Sequence, residues 1–141
     1  MQTAPLTASE TEWVGLQLST AALLVKAYTG DSEDLPRLDQ LDATWLAWQD
    51  DASSTRPEAN IVVNALGIVF GKHLATALGL EWAIVTDDYG TDLAVFGQPN
   101  DVTFFPANMI SKRLELREPI FSQLHGAAVG SVRELRLRSK K

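Results

Sequence analysis

The chain has 141 residues, 45% of them hydrophobic, and 12 Lys and Arg against 18 Asp and Glu for a net charge of −6, which is enough for one α+β domain over residues 1–141 with a core of its own. It contains no cysteine, so disulfides, thiolate zinc sites and a cysteine nucleophile are excluded. Residues 1–105 carry 4 Lys and Arg against 15 Asp and Glu, net −11, and residues 106–141 carry 8 against 3, net +5, an acidic body that disfavours phosphate backbones followed by a basic end that permits them.

Residues 1–8 hold neither the basic cluster nor the apolar run of a secretory signal and are expected to be a flexible lead-in. From Ser9 to Tyr28, Trp13, Leu16, Leu23, Leu24, Ala27 and Tyr28 recur at helical spacing, and Gly30 stops the helix. An acidic loop leads to a second helix with Pro36 in its first turn, where Leu38, Leu41, Trp45 and Trp48 step by three, four and three onto one seam. Two tryptophans so placed are expected to be core. Thr55 and Glu58 have the spacing of a capping box, with Pro57 inside the first turn of a third helix. Val63, Leu66, Phe70, Leu74 and Leu78 form its apolar stripe, Gly79 ends it, and Gly67 and Gly71 mark a face where another backbone can come close.

Beyond Gly79 the pattern turns extended. Trp82–Thr86, Leu93–Phe96 and Val102–Phe105 read as three short strands, with turns at Asp87-Asp88-Tyr89-Gly90 and Gly97-Gln98-Pro99-Asn100-Asp101, giving a three-stranded antiparallel meander. Helical spacing returns over Ala107–Leu116, carrying Lys112 and Arg113, and again over about Pro119–Ala128 with interruptions at Gly126 and Gly130. Ser131–Lys141 is a basic C-terminal tail that fits an edge strand or a frayed helix nearly equally. The fold expected is N-terminal helices packed on the small meander and closed by C-terminal helices.

The stretch Gly79-Leu80-Glu81-Trp82, followed by Thr86-Asp87-Asp88-Tyr89-Gly90-Thr91-Asp92-Leu93-Ala94-Val95, resembles the bacterial domain-of-unknown-function family 3806. Asn64-Ala65-Leu66-Gly67 with Gly71, and the later Pro106 with Lys112-Arg113, fall in the order of that family, so the likeness covers roughly residues 60–115. It implies a small helical and antiparallel-sheet module in bacteria, and it brings no reaction, cofactor or catalytic residue with it.

His73 and His125 are the imidazoles a hydrolase would need, and neither lies in a nucleophile motif or at zinc-ligand spacing. His73 is expected to bond a loop or sit on a polar face, and His125, before Gly126, to sit near a helix end where the dipole favours a cation. Asp87, Asp88 and Asp92, with Asp101 on the next turn, gather oxygens that a hard cation prefers, but aspartates are also ordinary turn formers. Trp82, Asp87, Tyr89, Lys112 and Arg113 are the binding-surface candidates, and Asn60 and Asn64, four apart on one helix face, can present amides to a partner. No metal set, cofactor motif or membrane span is expected, and the cytoplasm is the expected location. The function expected is a non-catalytic module of an immunity or adaptor type, binding a protein partner. Two alternatives stay open: a hydrolase built on the Asp87–Asp92 carboxylates, and nucleic-acid binding through Arg133, Arg136, Arg138, Lys140 and Lys141.

Overall fold

A computed structural model describes residues 1–139. Its elements in chain order are β1 (Gln2–Ala4), α1 (Ala8–Thr29), α2 (Leu38–Asp50), α3 (Ala59–Leu78), β2 (Glu81–Asp87), β3 (Gly90–Gly97), β4 (Val102–Phe104), α4 (Pro106–Ser111) and α5 (Ile120–Arg138). The α+β class is as expected. The sheet has four strands in the order β1-β2-β3-β4, all antiparallel, where the sequence reading had three. The additional strand comes from the supposedly flexible lead-in, because Gln2, Thr3 and Ala4 pair with Thr86, Val85 and Ile84. Thr7 then fixes the start of α1 through a reciprocal capping box: its hydroxyl accepts from the Glu10 N–H at 3.2 Å and its own N–H donates to Glu10 Oε1 at 2.8 Å.

α3 is the centre of the molecule. It touches α1, α2, α4, α5 and β3, and this encirclement explains why it lacks a narrow apolar stripe. Its length and mean hydropathy of 1.6 meet the requirement for crossing a membrane, and burial inside the fold accounts for that apolarity. Between α2, α3 and α5 the aromatic rings interlock. Trp45, 0% exposed, lies 5.4 Å from Trp48 and edge-on to Phe121 at 5.8 Å, and Phe121 meets Phe70 edge-on at 5.9 Å. Each buried indole keeps its polar edge satisfied: Trp45 Nε1 donates to the Leu116 carbonyl at 3.2 Å and Trp48 Nε1 to that of Pro57 at 2.9 Å.

Three boundaries depart from those expected, and the indole bonds explain the first two. Thr55 and Glu58 form no capping box, for Glu58 is itself the N-cap of α3 and makes no side-chain cap bond. Trp48 holds the Pro57 carbonyl and Arg56 stacks over the Trp48 ring at 4.1 Å, so residues 55–57 are anchored to α2 as a turn outside the helix. The helix expected over Ala107–Leu116 ends at Ser111, because carbonyls beyond it are claimed by α2. Gln49 Nε2 donates to Leu114 and Leu116, and Trp45 joins it at Leu116. Pro36 lies before the α2 N-cap, Arg37, instead of inside the first turn, and its carbonyl accepts from His73 Nε2 at 2.8 Å.

α5 is one helix from Ile120 to Arg138, so the breaks expected at Gly126 and Gly130 and the edge-strand alternative for the C-terminal segment are both overturned. Neither glycine adopts a positive φ, and the buried Phe121, Ala128, Val129 and Val132 hold the helix down along one face. Its first turn is capped from another element. Asp42 of α2, 6% exposed, accepts the Phe121 N–H at 2.8 Å, the Ser122 N–H at 3.3 Å and the Ser122 hydroxyl. A carboxylate there meets both the orphan donors and the positive end of the helix dipole.

Candidate functional site

The β2–β3 hairpin builds one wall of the site. Asp87 and Gly90 close a two-residue turn in which Asp87 Oδ1 accepts the Tyr89 N–H at 2.8 Å, the local bond that suits aspartate to turns. The Thr86 and Thr91 hydroxyls bond across the strands at 2.9 Å. Tyr89 at the tip is 98% exposed.

The facing wall is α4, set by the glycines of α3. A methyl group at Gly71 would stand 2.6 Å from Pro106 Cγ and 2.6 Å from Trp82 Cη2, and one at Gly67 would stand 3.1 Å from the Ala107 Cα. The close approach expected at Gly67 and Gly71 is therefore the docking of α4 onto α3. Pro106 begins α4 at a position where its missing N–H is no loss. Between hairpin and α4 lies an open cleft of about 390 Å³, with Asp87, Tyr89, Thr91 and Asp92 on one side and Asn108 and Lys112 on the other. A second hollow of about 510 Å³ continues from it along α3, where Asn60 and Asn64 face Asp92 and Asn108. A third, of about 260 Å³, runs between the hairpin and Glu10 and Trp13 of α1.

Three of the five binding candidates thus meet: Asp87, Tyr89 and Lys112 line one cleft. Trp82 and Arg113 stand apart from it. The Trp82 ring is half-buried against Gly71, and the Arg113 guanidinium donates to the Met109 carbonyl at 2.7 Å, holding the turn after α4. Lys112 and Arg113 follow the end of α4 instead of lying within a helix. The residue that sequence reasoning undervalued is Asp92, which borders all three hollows. Its place among the turn aspartates was visible; its position between hairpin, α1 and α3 depends on tertiary docking and left no sequence signal.

Among the described residues no three of His, Asp or Glu converge as a metal set. The histidines, remote in sequence, come together with ring centroids 6.5 Å apart. His73 bonds a loop carbonyl as expected. His125 lies within the span of α5, away from its ends, and burial first, then the neighbouring charges of His73 and Arg133, push its pKa below 6.5. In the basic C-terminal segment Arg136 donates to the Leu78 carbonyl at 2.8 Å, capping α3, and Arg138 pairs with Glu134. Lys140 and Lys141 lie outside the described residues.

The profile of the domain of unknown function DUF3806 matches residues 42–121, more than half of the chain. The chain belongs to that family. The DUF3806 match begins at Asp42 and ends at Phe121, the two residues joined by the bond that caps α5. It contains both walls of the cleft between the hairpin and α4 and all of α3, and leaves out Glu10 and Trp13 at the third hollow. No curated protein and no solved structure matches the chain.

Proposed function

We propose that the chain is a non-catalytic binding module that engages a protein partner through the cleft between the β2–β3 hairpin and α4. The observation that carries this reading is Tyr89, 98% exposed at the hairpin tip and bordering a cleft walled by hydrogen-bonding groups of both signs, Asp87 and Asp92 against Lys112. An aromatic ring with a polar tip beside such groups is the composition of an interface centre. The role that fits is an adaptor or immunity-type protein in a bacterial cytoplasm, with an acidic body meeting a basic partner.

One observation favours a second reading, a carboxylate hydrolase: Asp92 sits where the three hollows join. The nucleic-acid reading has less support, since Arg136 is engaged at the Leu78 carbonyl and Arg138 is paired with Glu134 on the surface of α5. The deciding experiment retains partners from nuclease-treated host lysate on the tagged chain, with a Tyr89→Ala, Lys112→Ala variant in parallel. A stoichiometric protein held by the wild type and lost by the variant supports the binding reading. Equal retention by both, or small metabolites alone, overturns it and directs the search to Asp92.

A further inference from the structure

The outer edge of β3 is only partly covered. β3 runs from Gly90 to Gly97, but β4 pairs with Val95, Phe96 and Gly97 alone. β4 cannot extend further, because the chain turns at Phe105 into Pro106, which lacks an N–H and starts α4. Gly90–Leu93 therefore have no strand beside them among the described residues, and Gly90, Thr91 and Asp92 border the cleft.

The direction of the backbone groups follows from the hairpin. A two-residue turn closes on a bonded pair, here Asp87 and Gly90, and bonded and unbonded pairs alternate along an antiparallel ladder. Gly90, Asp92 and Ala94 thus spend their backbone groups on β2, while Thr91 and Leu93 direct theirs outward, in line with Val95 and Gly97, which meet β4. Leu93 bears this out, since its N–H donates to Asp92 Oδ1 at 2.8 Å. Asp92 shields one donor of an open edge, a device that keeps unpaired strands from joining at random. Across the gap stand the Asn60, Asn64 and Asn108 amides, each able to donate to and accept from a peptide group.

We infer that the partner contributes an extended, basic segment that adds to β3 as a further strand alongside Gly90–Leu93, displacing Asp92 from the Leu93 amide. This rests on the binding reading above and names its mode. Backbone donors and acceptors at two-residue spacing, facing amides, match an extended polypeptide. Asp87 and Asp92 outnumber Lys112 at the cleft and select basic side chains. A second copy of this chain is disfavoured as the occupant, because pairing two such edges sets aspartates against aspartates.

The test selects displayed random peptides of roughly ten residues on the full chain, then N-methylates the backbone of a selected peptide one position at a time. Strand addition predicts Lys- and Arg-rich peptides, with affinity lost by about tenfold or more at every second position and little changed between them. Thr91→Pro, which removes an outward N–H at a site where an edge strand tolerates proline, abolishes binding while far-ultraviolet circular dichroism stays unchanged. Should that variant fail to fold, the N-methyl series alone decides. An N-methyl series with no alternation, or no recovered peptide, overturns the inference. If a lysate partner is still lost on Tyr89→Ala, Lys112→Ala while the series shows no alternation, the binding reading stands and strand addition falls.

Discussion

Two polar residues, Asp42 buried and His125 half-buried, show how single side chains decide this structure. Asp42 completes the start of α5, a helix whose own N-cap, Pro119, supplies no side-chain bond. Asp42→Ala leaves the Phe121 and Ser122 donors without an acceptor and is expected to cost about 2–3 kcal/mol, while Asp42→Asn, which keeps one oxygen, recovers part of it. Urea unfolding midpoints of the three proteins check the order, and an alanine variant as stable as wild type would remove Asp42 from its role. His125 gives a pH dependence whose sign is fixed. Its pKa lies below 6.5 in the folded chain, so the unfolded chain takes up a proton first as the solution is acidified. Its contribution is therefore complete above about pH 6.5 and is lost as pH falls toward the folded pKa. Asp51, held down to about 2 by the Tyr28 hydroxyl and by Ser53, acts only in a lower window, below its ordinary value of 3.8. Stability measured from about pH 7.5 to about pH 5 should decline less steeply in His125→Gln than in wild type, and parallel curves would exclude this role.

At the scale of elements, glycine has two opposite meanings here that spacing alone separated only in part. In α3 the four-residue spacing of Gly67 and Gly71 was legible as a close approach, and the structure fills it with α4 and Trp82. In α5, Gly126 and Gly130 carried the same local preference for breaking a helix, yet burial of Phe121, Ala128, Val129 and Val132 overrides it. Gly71→Ala is therefore expected to destabilise by about 1–3 kcal/mol through overpacking against Pro106 and Trp82. Gly126→Ala, with nothing within 4 Å of the added methyl, is expected to stabilise by about 0.5–1 kcal/mol. Thermal melts of both variants decide, and a Gly71→Ala variant as stable as wild type would show that packing at Gly71 is looser than its contacts imply. Boundaries were least legible where a distant group took a local bond. Gln49 and Trp45 reach 65–71 residues ahead to stop the helix after Ser111, and no window around residues 107–116 contains that information.

For the whole molecule, composition and period were sufficient for the α+β class and for most helices, because each needs only its own apolar spacing. The strand at Gln2–Ala4 was not legible, since three exposed residues acquire their structure from β2. The site was half legible: Asp87 and Tyr89 announced a turn, whereas their meeting with Lys112 and Asn108 awaited the docking of α4. The centrality of α3 has a further consequence for how the molecule opens. Every helix and β3 rest on it, so exposing its amides requires the whole fold to come apart, whereas β1, with three exposed residues, and the six-residue α4 can detach alone. Native-state hydrogen exchange should place Val62–Leu74 at the free energy of global unfolding and β1 and α4 well below it. Early exchange of α4 would make one wall of the cleft the part that yields when a partner enters. An α3 that exchanged as fast as α4 would mean instead that the helical layer opens as separate pieces, and that α3 is not the element on which the fold depends.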